Sequence, residues 1–221
     1  ALRAMAEDLG TIGTVTTEFF RAPRFGGFRE EMAHPLLVDM AIHAFDSARF
    51  LLRAEPVSAY CQAYNPPWSW FAGDANATVV FEMEGGTRYV YFGSWCSPGA
   101  ITSWNGAWRV SGERGTALWD GDRHPEVHAD IELAEADGLP YSGIAGALQV
   151  FARALRTGES PSGEVHENVT SLAMVEAAVQ SATSGRIEQL DEVFERAHAQ
   201  ALREETRADV RAALAGWSSV R

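Results

Sequence analysis

The sequence contains no lysine; all 18 of its basic residues are arginine. Any chemistry that needs a lysine amine must take it from another chain or another segment. Cysteine is almost as scarce, with Cys61 and Cys96 alone among 221 residues, each in an apolar run of strand character. Buried free thiols in a reducing cytoplasm are expected, not a disulfide framework. No run approaches 18 consecutive apolar residues, which argues against a transmembrane helix. No charged-then-apolar leader opens the chain. Positive charge is in deficit: the net charge is −12 and the arginines are scattered. Nucleic acid and an anionic membrane surface are therefore not expected partners. Glycine fingerprints are missing as well. The nearest clusters, Gly10-Thr11-Ile12-Gly13 and Gly112-Glu113-Arg114-Gly115, lack the third glycine and the strand-to-helix setting of a dinucleotide cradle. There is no Walker loop, no GxSxG elbow for a serine nucleophile, and no HExxH zinc motif. His124 and His128 have HxxxH spacing, but Pro125 between them argues against a helical metal site.

What is present suits one sizeable domain, with 46% of residues hydrophobic. Residues 1–9 are helix-like and begin in mid-helix character, as at a cut between domains. A strand follows over Ile12 to Phe20, then a Pro/Gly loop over Arg21 to Met32. After a central apolar segment, Val57–Tyr64, Ala75–Met83 and Thr87–Trp95 read as strands, the last two joined by Glu84-Gly85-Gly86. Thr102–Gly112 leads into a further strand, and Gly112–Gly115 turns into another over Thr116–Trp119. Glu126–Leu133 reads as an edge strand. The chemistry then changes to helix over Gly143–Arg156, Glu167–Thr183 and Gln189–Trp217. Strands in a block with helices around them predict an α+β fold. The expected form is a largely antiparallel, open-faced sheet with helices packed on one face and a C-terminal helical extension.

The segment His34–Leu52 predicts a helix buried on nearly every side, with one polar stripe. Asp39, His43 and Asp46 fall within roughly 60° of one another on that helix. Asp39 and His43 are i, i+4 neighbours, and His43 and Asp46 are i, i+3 neighbours, so each pair is within reach. Two readings fit this spacing equally well. One is a core histidine satisfied by a carboxylate; the other is an acid/base pair facing a substrate, since imidazole titrates nearest neutral pH.

A resemblance favours the second reading. The helix with Asp39, His43 and Asp46, followed by Glu55-Pro56-Val57, resembles the C-terminal domain of the glucose–fructose oxidoreductase/inositol dehydrogenase (Gfo/Idh/MocA) family. That domain carries an Asp-x3-His-x2-Asp helix. Gly10-Thr11-Ile12-Gly13 resembles its entry. Ser171 to Ala178, with Ser181-Ala182 and Gly185-Arg186, resembles its closing helix. The similarity covers residues 1–190, with 191–221 as the helical extension. It implies the substrate-binding and catalytic-base domain of an NAD(P)-dependent oxidoreductase acting on a sugar, cyclitol or related polyol. His43 would take the hydroxyl proton, Asp39 would orient or charge-balance it or bind a neighbouring hydroxyl, and Asp46 would be structural or support the site from behind. NAD or NADP, and the family's catalytic lysine, would come from an N-terminal Rossmann domain absent from this chain or from a partner subunit. A homo-oligomer through the open sheet face is implied too.

The aromatics extend this expectation. Trp68, Trp70, Trp95, Trp104 and Trp108 gather in loops and strand ends. Such tryptophans are usual in cores and interfaces, and they also stack on the C–H face of a sugar. Trp70, Trp95 and Trp104, with His34 and Asn105 as hydrogen-bonding groups, are the candidate substrate contacts beside the catalytic pair. Two rivals remain: a non-catalytic small-molecule-binding or assembly subunit, and a metal-dependent lyase or isomerase using His34, Asp39 and His43.

Overall fold

The computed structural model describes residues 1–130, 143–161 and 163–220. Its centre is one eight-stranded sheet in the order β7-β6-β5-β1-β4-β3-β2-β8. The strands are β1 Ile12–Phe20, β2 Pro56–Tyr64, β3 Asn76–Met83, β4 Arg88–Ser94, β5 Ala107–Gly112, β6 Gly115–Trp119, β7 Glu126–Ala129 and the short β8 Glu188–Gln189. Every pairing is antiparallel except β1 with β4. The fold is the expected α+β. The edge strand predicted over 126–133 is β7; residues 131–133 lie outside the described residues.

Period-two alternation gives the sheet two unlike faces. One cross-strand row runs Ala59–Phe81–Tyr89–Val15–Val110–Ala117 and is buried throughout. The next row on the opposite face runs Tyr60–Val80–Val90–Thr16–Arg109–Leu118, and none of its members is buried. The buried face is covered by α1 (Leu2–Asp8), α3 (Ile42–Leu52) and α5 (Val165–Ser184). The other face carries no helix among the described residues.

Helix α3 is prefaced by a π-helical turn, Leu36–Ala41, where the wider backbone replaces α-helical bonding. Leu36, Leu37, Ala41, Phe45, Ala48 and Leu51 bury one side of this segment against the sheet. The prediction of burial on nearly every side is corrected here: Val38 is 47% exposed, Phe50 is 58% exposed, and His43 is exposed. The segment has the sheet on one side and helices only at its flanks, so its outer surface stays open. Arg49 fastens it. Its guanidinium makes a bidentate pair with Glu55 at 2.9 Å on both arms and donates to Ser171 Oγ of α5 at 2.8 Å.

Of the later helices, α4 (Gly143–Thr157) buries none of its residues, and Ile144, Leu148, Phe151 and Leu155 form an exposed stripe. The single helix predicted over Gln189–Trp217 is two: α6 (Leu190–Glu204) and α7 (Ala208–Ala215). The break follows Glu205, whose carboxylate accepts from the Arg207 amide at 2.7 Å and so competes with helical bonding. Leu190, Val193 and Phe194 tie α6 to the core. The loop read over Arg21–Met32 contains the one-turn helix α2 (Phe28–Glu31).

Candidate functional site

The site begins with a row of the buried sheet face. Tyr91 of β4 stands beside Thr17 of β1, Thr17 beside Trp108 of β5, and Trp108 beside Trp119 of β6. Their side chains form a floor. Met40, His43, Ala44 and Ser47 of the π turn and α3 overhang it, and Trp104, Asn105 and Gly106 close one end. The cavity, open at one side, measures about 90 Å³. Its walls are largely aromatic. Phe19, two residues beyond Thr17 on the same face, lies 6.1 Å from the Trp104 ring. Arg21 stacks on that indole at 4.2 Å and donates to the Thr102 carbonyl at 2.7 Å.

Hydrogen bonding orders these walls. Trp108 Nε1 donates to the Asn105 carbonyl at 2.7 Å, and Trp119 Nε1 donates to the Arg123 carbonyl at 2.7 Å. Both indoles therefore offer only their π faces. Asn105 Nδ2 donates to the Gly121 carbonyl at 2.8 Å, which fixes the amide and leaves its Oδ1 available. Gly121 belongs to a turn held by Asp120, whose carboxylate accepts from the amides of Asp122 and Arg123 and from the Arg123 guanidinium. Those bonds to the charged form hold the Asp120 carboxyl down at about 2. Tyr89 Oη reaches Thr17 Oγ1 at 3.3 Å, whereas Tyr91 Oη has no partner among the described residues. Burial pushes both phenols well above their ordinary range, so both stay protonated.

The structure sorts the residues singled out from the sequence. His43, Trp104 and Asn105 line one cavity. The imidazole of His43 carries no hydrogen bond or ion pair among the described residues, while its backbone carbonyl accepts from Ser47 Oγ at 2.7 Å. Asp39 does not hold His43; its carboxylate accepts from Arg29 Nε at 2.9 Å. Asp46 accepts from Ser171 Oγ at 2.7 Å and lies 3.8 Å from Arg49, joining α3 to α5. His34, Trp70 and Trp95 sit in another place. There the 65–75 loop packs on residues 25–34, and Trp95 is buried against Phe25 and Phe71. His34 Nδ1 stands 3.6 Å from Asp74. Trp68 is exposed and donates to the Cys96 carbonyl at 2.9 Å. Among the described residues no cluster of three or more His, Cys, Asp or Glu side chains is arranged for a metal ion. His34, Asp39 and His43 each go to different surroundings.

Tyr91, Thr17, Ser47 and Trp119 were not picked out by sequence reasoning. The signal for Tyr91 was present: Tyr89, Tyr91 and Gly93 alternate onto one face of β4. A Cβ at Gly93 would come within 2.5 Å of Tyr91 Oη, so the glycine leaves the space that the hydroxyl fills.

A naked sheet face, a helix-covered face and a small aromatic cavity between sheet and helix define an open-faced α+β domain. The chain belongs to the GFO/IDH/MocA family: the C-terminal domain of that family matches residues 3–118. A curated relative, the uncharacterized protein y4oX of Sinorhizobium fredii, is 31% identical over an alignment of 207 residues that covers 84% of this chain and 57% of the relative. D-apiose dehydrogenase of Paraburkholderia graminis is 29% identical over 170 residues, 70% of this chain and 44% of that protein. The chain thus spans about half the length of the curated relatives it matches. The same fold occurs in an oxidoreductase from Agrobacterium radiobacter solved with NAD+, L-tartaric acid and magnesium. There the TM-score is 0.70 at 19% identity, covering 86% of this chain and 60% of that one. It recurs in aldose-aldose oxidoreductase from Caulobacter crescentus complexed with glycerol, with a TM-score of 0.68 at 18% identity, covering 85% and 59%.

Proposed function

We propose that this chain is the substrate-binding and catalytic-base domain of an NAD(P)-dependent oxidoreductase acting on a sugar, cyclitol or related polyol. The observation that carries this reading is His43, an unpaired imidazole on the wall of a cavity lined by tryptophans. Aromatic faces suit the C–H surface of a polyol, and a few placed polar groups fix its orientation. A neutral imidazole at the cavity mouth accepts the proton of the reacting hydroxyl. The described residues do not form a dinucleotide cradle, so no nicotinamide contact is assigned to them. NAD or NADP, held mainly outside this chain by a Rossmann domain or partner subunit, supplies the hydride acceptor when bound. Asp39, whose carboxylate accepts from Arg29 Nε, supports the site from the helical segment that carries His43, one turn away. Residues 1–190 form the domain and 191–221 its helical extension. The name and NAD-bound state of the relatives favour this class, as does the family itself. Self-association through the open sheet face and residence in a reducing cytoplasm, suited to two free buried cysteines, complete the reading.

Replacing His43 by Ala in the full-length protein tests it. Turnover of D-apiose, myo-inositol, D-glucose or glycerol with NAD+ or NADP+ should fall by at least about 10²-fold, the usual scale of acid–base catalysis, with the fold intact by circular dichroism. Near-normal turnover would remove His43 from the mechanism. A non-catalytic binding subunit is the alternative, and it is distinguished by polyol binding without turnover in the wild-type protein.

A further inference from the structure

Tyr91 Oη lies in a residue that is 1% exposed, and it makes no hydrogen bond among the described residues. A buried hydroxyl without a partner is unfavourable, so its retention asks for one. Other unpartnered buried polar atoms exist at His34, Trp70 and Trp95, but these residues line none of the described cavities. Tyr91 does: it is part of the floor beneath His43. Its ring is held edge-on by Phe45 at 5.4 Å. Its hydroxyl lies over Gly93, where no side chain competes for the space. The equivalent tyrosine two residues earlier, Tyr89, already donates to Thr17, so of the two phenols on this face of the strand only Tyr91 is left without a partner among the described residues.

We infer that Tyr91 determines specificity by hydrogen-bonding an uncharged hydroxyl of the polyol whose neighbouring carbinol meets His43. This rests on the oxidoreductase reading above and names the arm of substrate that enters the cavity. The arm is neutral because no arginine lines the cavity, and a carboxylate or phosphate there would be desolvated without a counter-ion. It is small because about 90 Å³ admits a few waters or one hydroxymethyl arm, with the rest of the substrate outside. Asn105, whose amide nitrogen is committed to the Gly121 carbonyl, lines the same cavity. No bond is made or broken at Tyr91; it positions and selects.

The test compares full-length wild type with Tyr91→Phe and His43→Asn. The probes are D-apiose, myo-inositol, D-glucose and glycerol with NAD+ or NADP+, together with the mono-deoxy analogues of the best substrate. Tyr91→Phe is expected to raise KM by roughly 3- to 10-fold, the worth of one net hydrogen bond, with the loss in KM and not in kcat. One deoxy analogue should lose as much with wild type and be indifferent to Tyr91→Phe. Tm should stay level or rise, because the substitution removes an unpartnered polar atom. A KM within twofold of wild type for every substrate overturns the assignment, as does a fall of several degrees in Tm, which would make the hydroxyl structural. If wild type oxidises none of the polyols, the oxidoreductase reading fails by itself. Tryptophan fluorescence titrations with the same polyols then decide the subsite. Saturable quenching that Tyr91→Phe weakens 3- to 10-fold sustains it, and no saturable change in wild type overturns it.

Discussion

At the scale of single residues, His43 and Tyr91 were unequally legible. His43 stood out because an imidazole between two carboxylates on an apolar helix is chemically costly unless it is used. Tyr91 did not, because a tyrosine in an alternating strand looks like any other core residue until its hydroxyl is found without a partner. Asp39 shows the limit of spacing as a guide. The i, i+4 rule made it the neighbour of His43, yet Arg29, ten residues away along the chain, takes its carboxylate at 2.9 Å. A tertiary ion pair outcompetes a local one when it brings a hydrogen bond with it. The cysteines behave as expected of buried thiols. Burial, aided by the charge of Asp74, pushes the Cys61 thiol up to about 12. Cys61 should therefore resist iodoacetamide at pH 8 in the native protein and react only on unfolding. Rapid native alkylation at Cys61, read by peptide mass, would contradict this burial.

At the scale of elements, strands were easier to read than helices. Alternation with β-branched residues located β1 to β4 and β6 to within a few residues, because the period-two pattern is enforced by one buried face, whereas β5 lies inside the stretch 102–112 that was given no strand bounds. The long C-terminal helix was misread as continuous because its break contains neither glycine nor proline. A side-chain carboxylate capturing a backbone amide leaves little trace in composition. The attachment of α3 to α5 was invisible too, since Ser171 lies 122 residues from Arg49 in sequence. Arg49 is 12% exposed and contacts Glu55, Ser171 and the Glu167 carbonyl. Arg49→Ala should destabilise the fold by about 2 kcal/mol in urea titrations, discounted because Glu55 is partly solvated. A loss below about 0.5 kcal/mol would place this network with ordinary surface pairs. The turn that holds Asn105 gives a pH-dependent counterpart. The Asp120 carboxyl is depressed in the folded state to about 2, so its contribution is present above the ordinary value of 3.8 and lost as pH falls towards 2. Protection factors of the Asp122 and Arg123 amides, taken against the intrinsic exchange rate at each pH, should fall across that interval, and in Asp120→Asn at neutral pH. Unchanged protection in that variant would mean the turn is held by other contacts.

At the scale of the whole molecule, the unequal faces of the sheet matter most. The helix-covered face supplies the core and the cavity. The other presents Tyr60 at 37%, Tyr64 at 45% and Phe92 at 37% exposure, with Val80 and Val90 between them and Phe20 edge-on to Phe92 at 5.2 Å. Pairing two copies face to face would cover these exposed aromatic and β-branched side chains. Because the row Tyr60–Val80–Val90–Thr16 runs straight across four strands, a charge at its centre would face a copy of itself in a two-fold arrangement. Val90→Glu should therefore convert an oligomer to a monomer by light scattering, while the proposed polyol binding on the opposite face changes little. The conservative Val90→Thr should retain assembly and so separate loss of contact from loss of fold. If wild type is monomeric at micromolar concentration, or Val90→Glu assembles as wild type does, the open face is not the contact. The exposed stripe of α4 would then be the next surface to mutate.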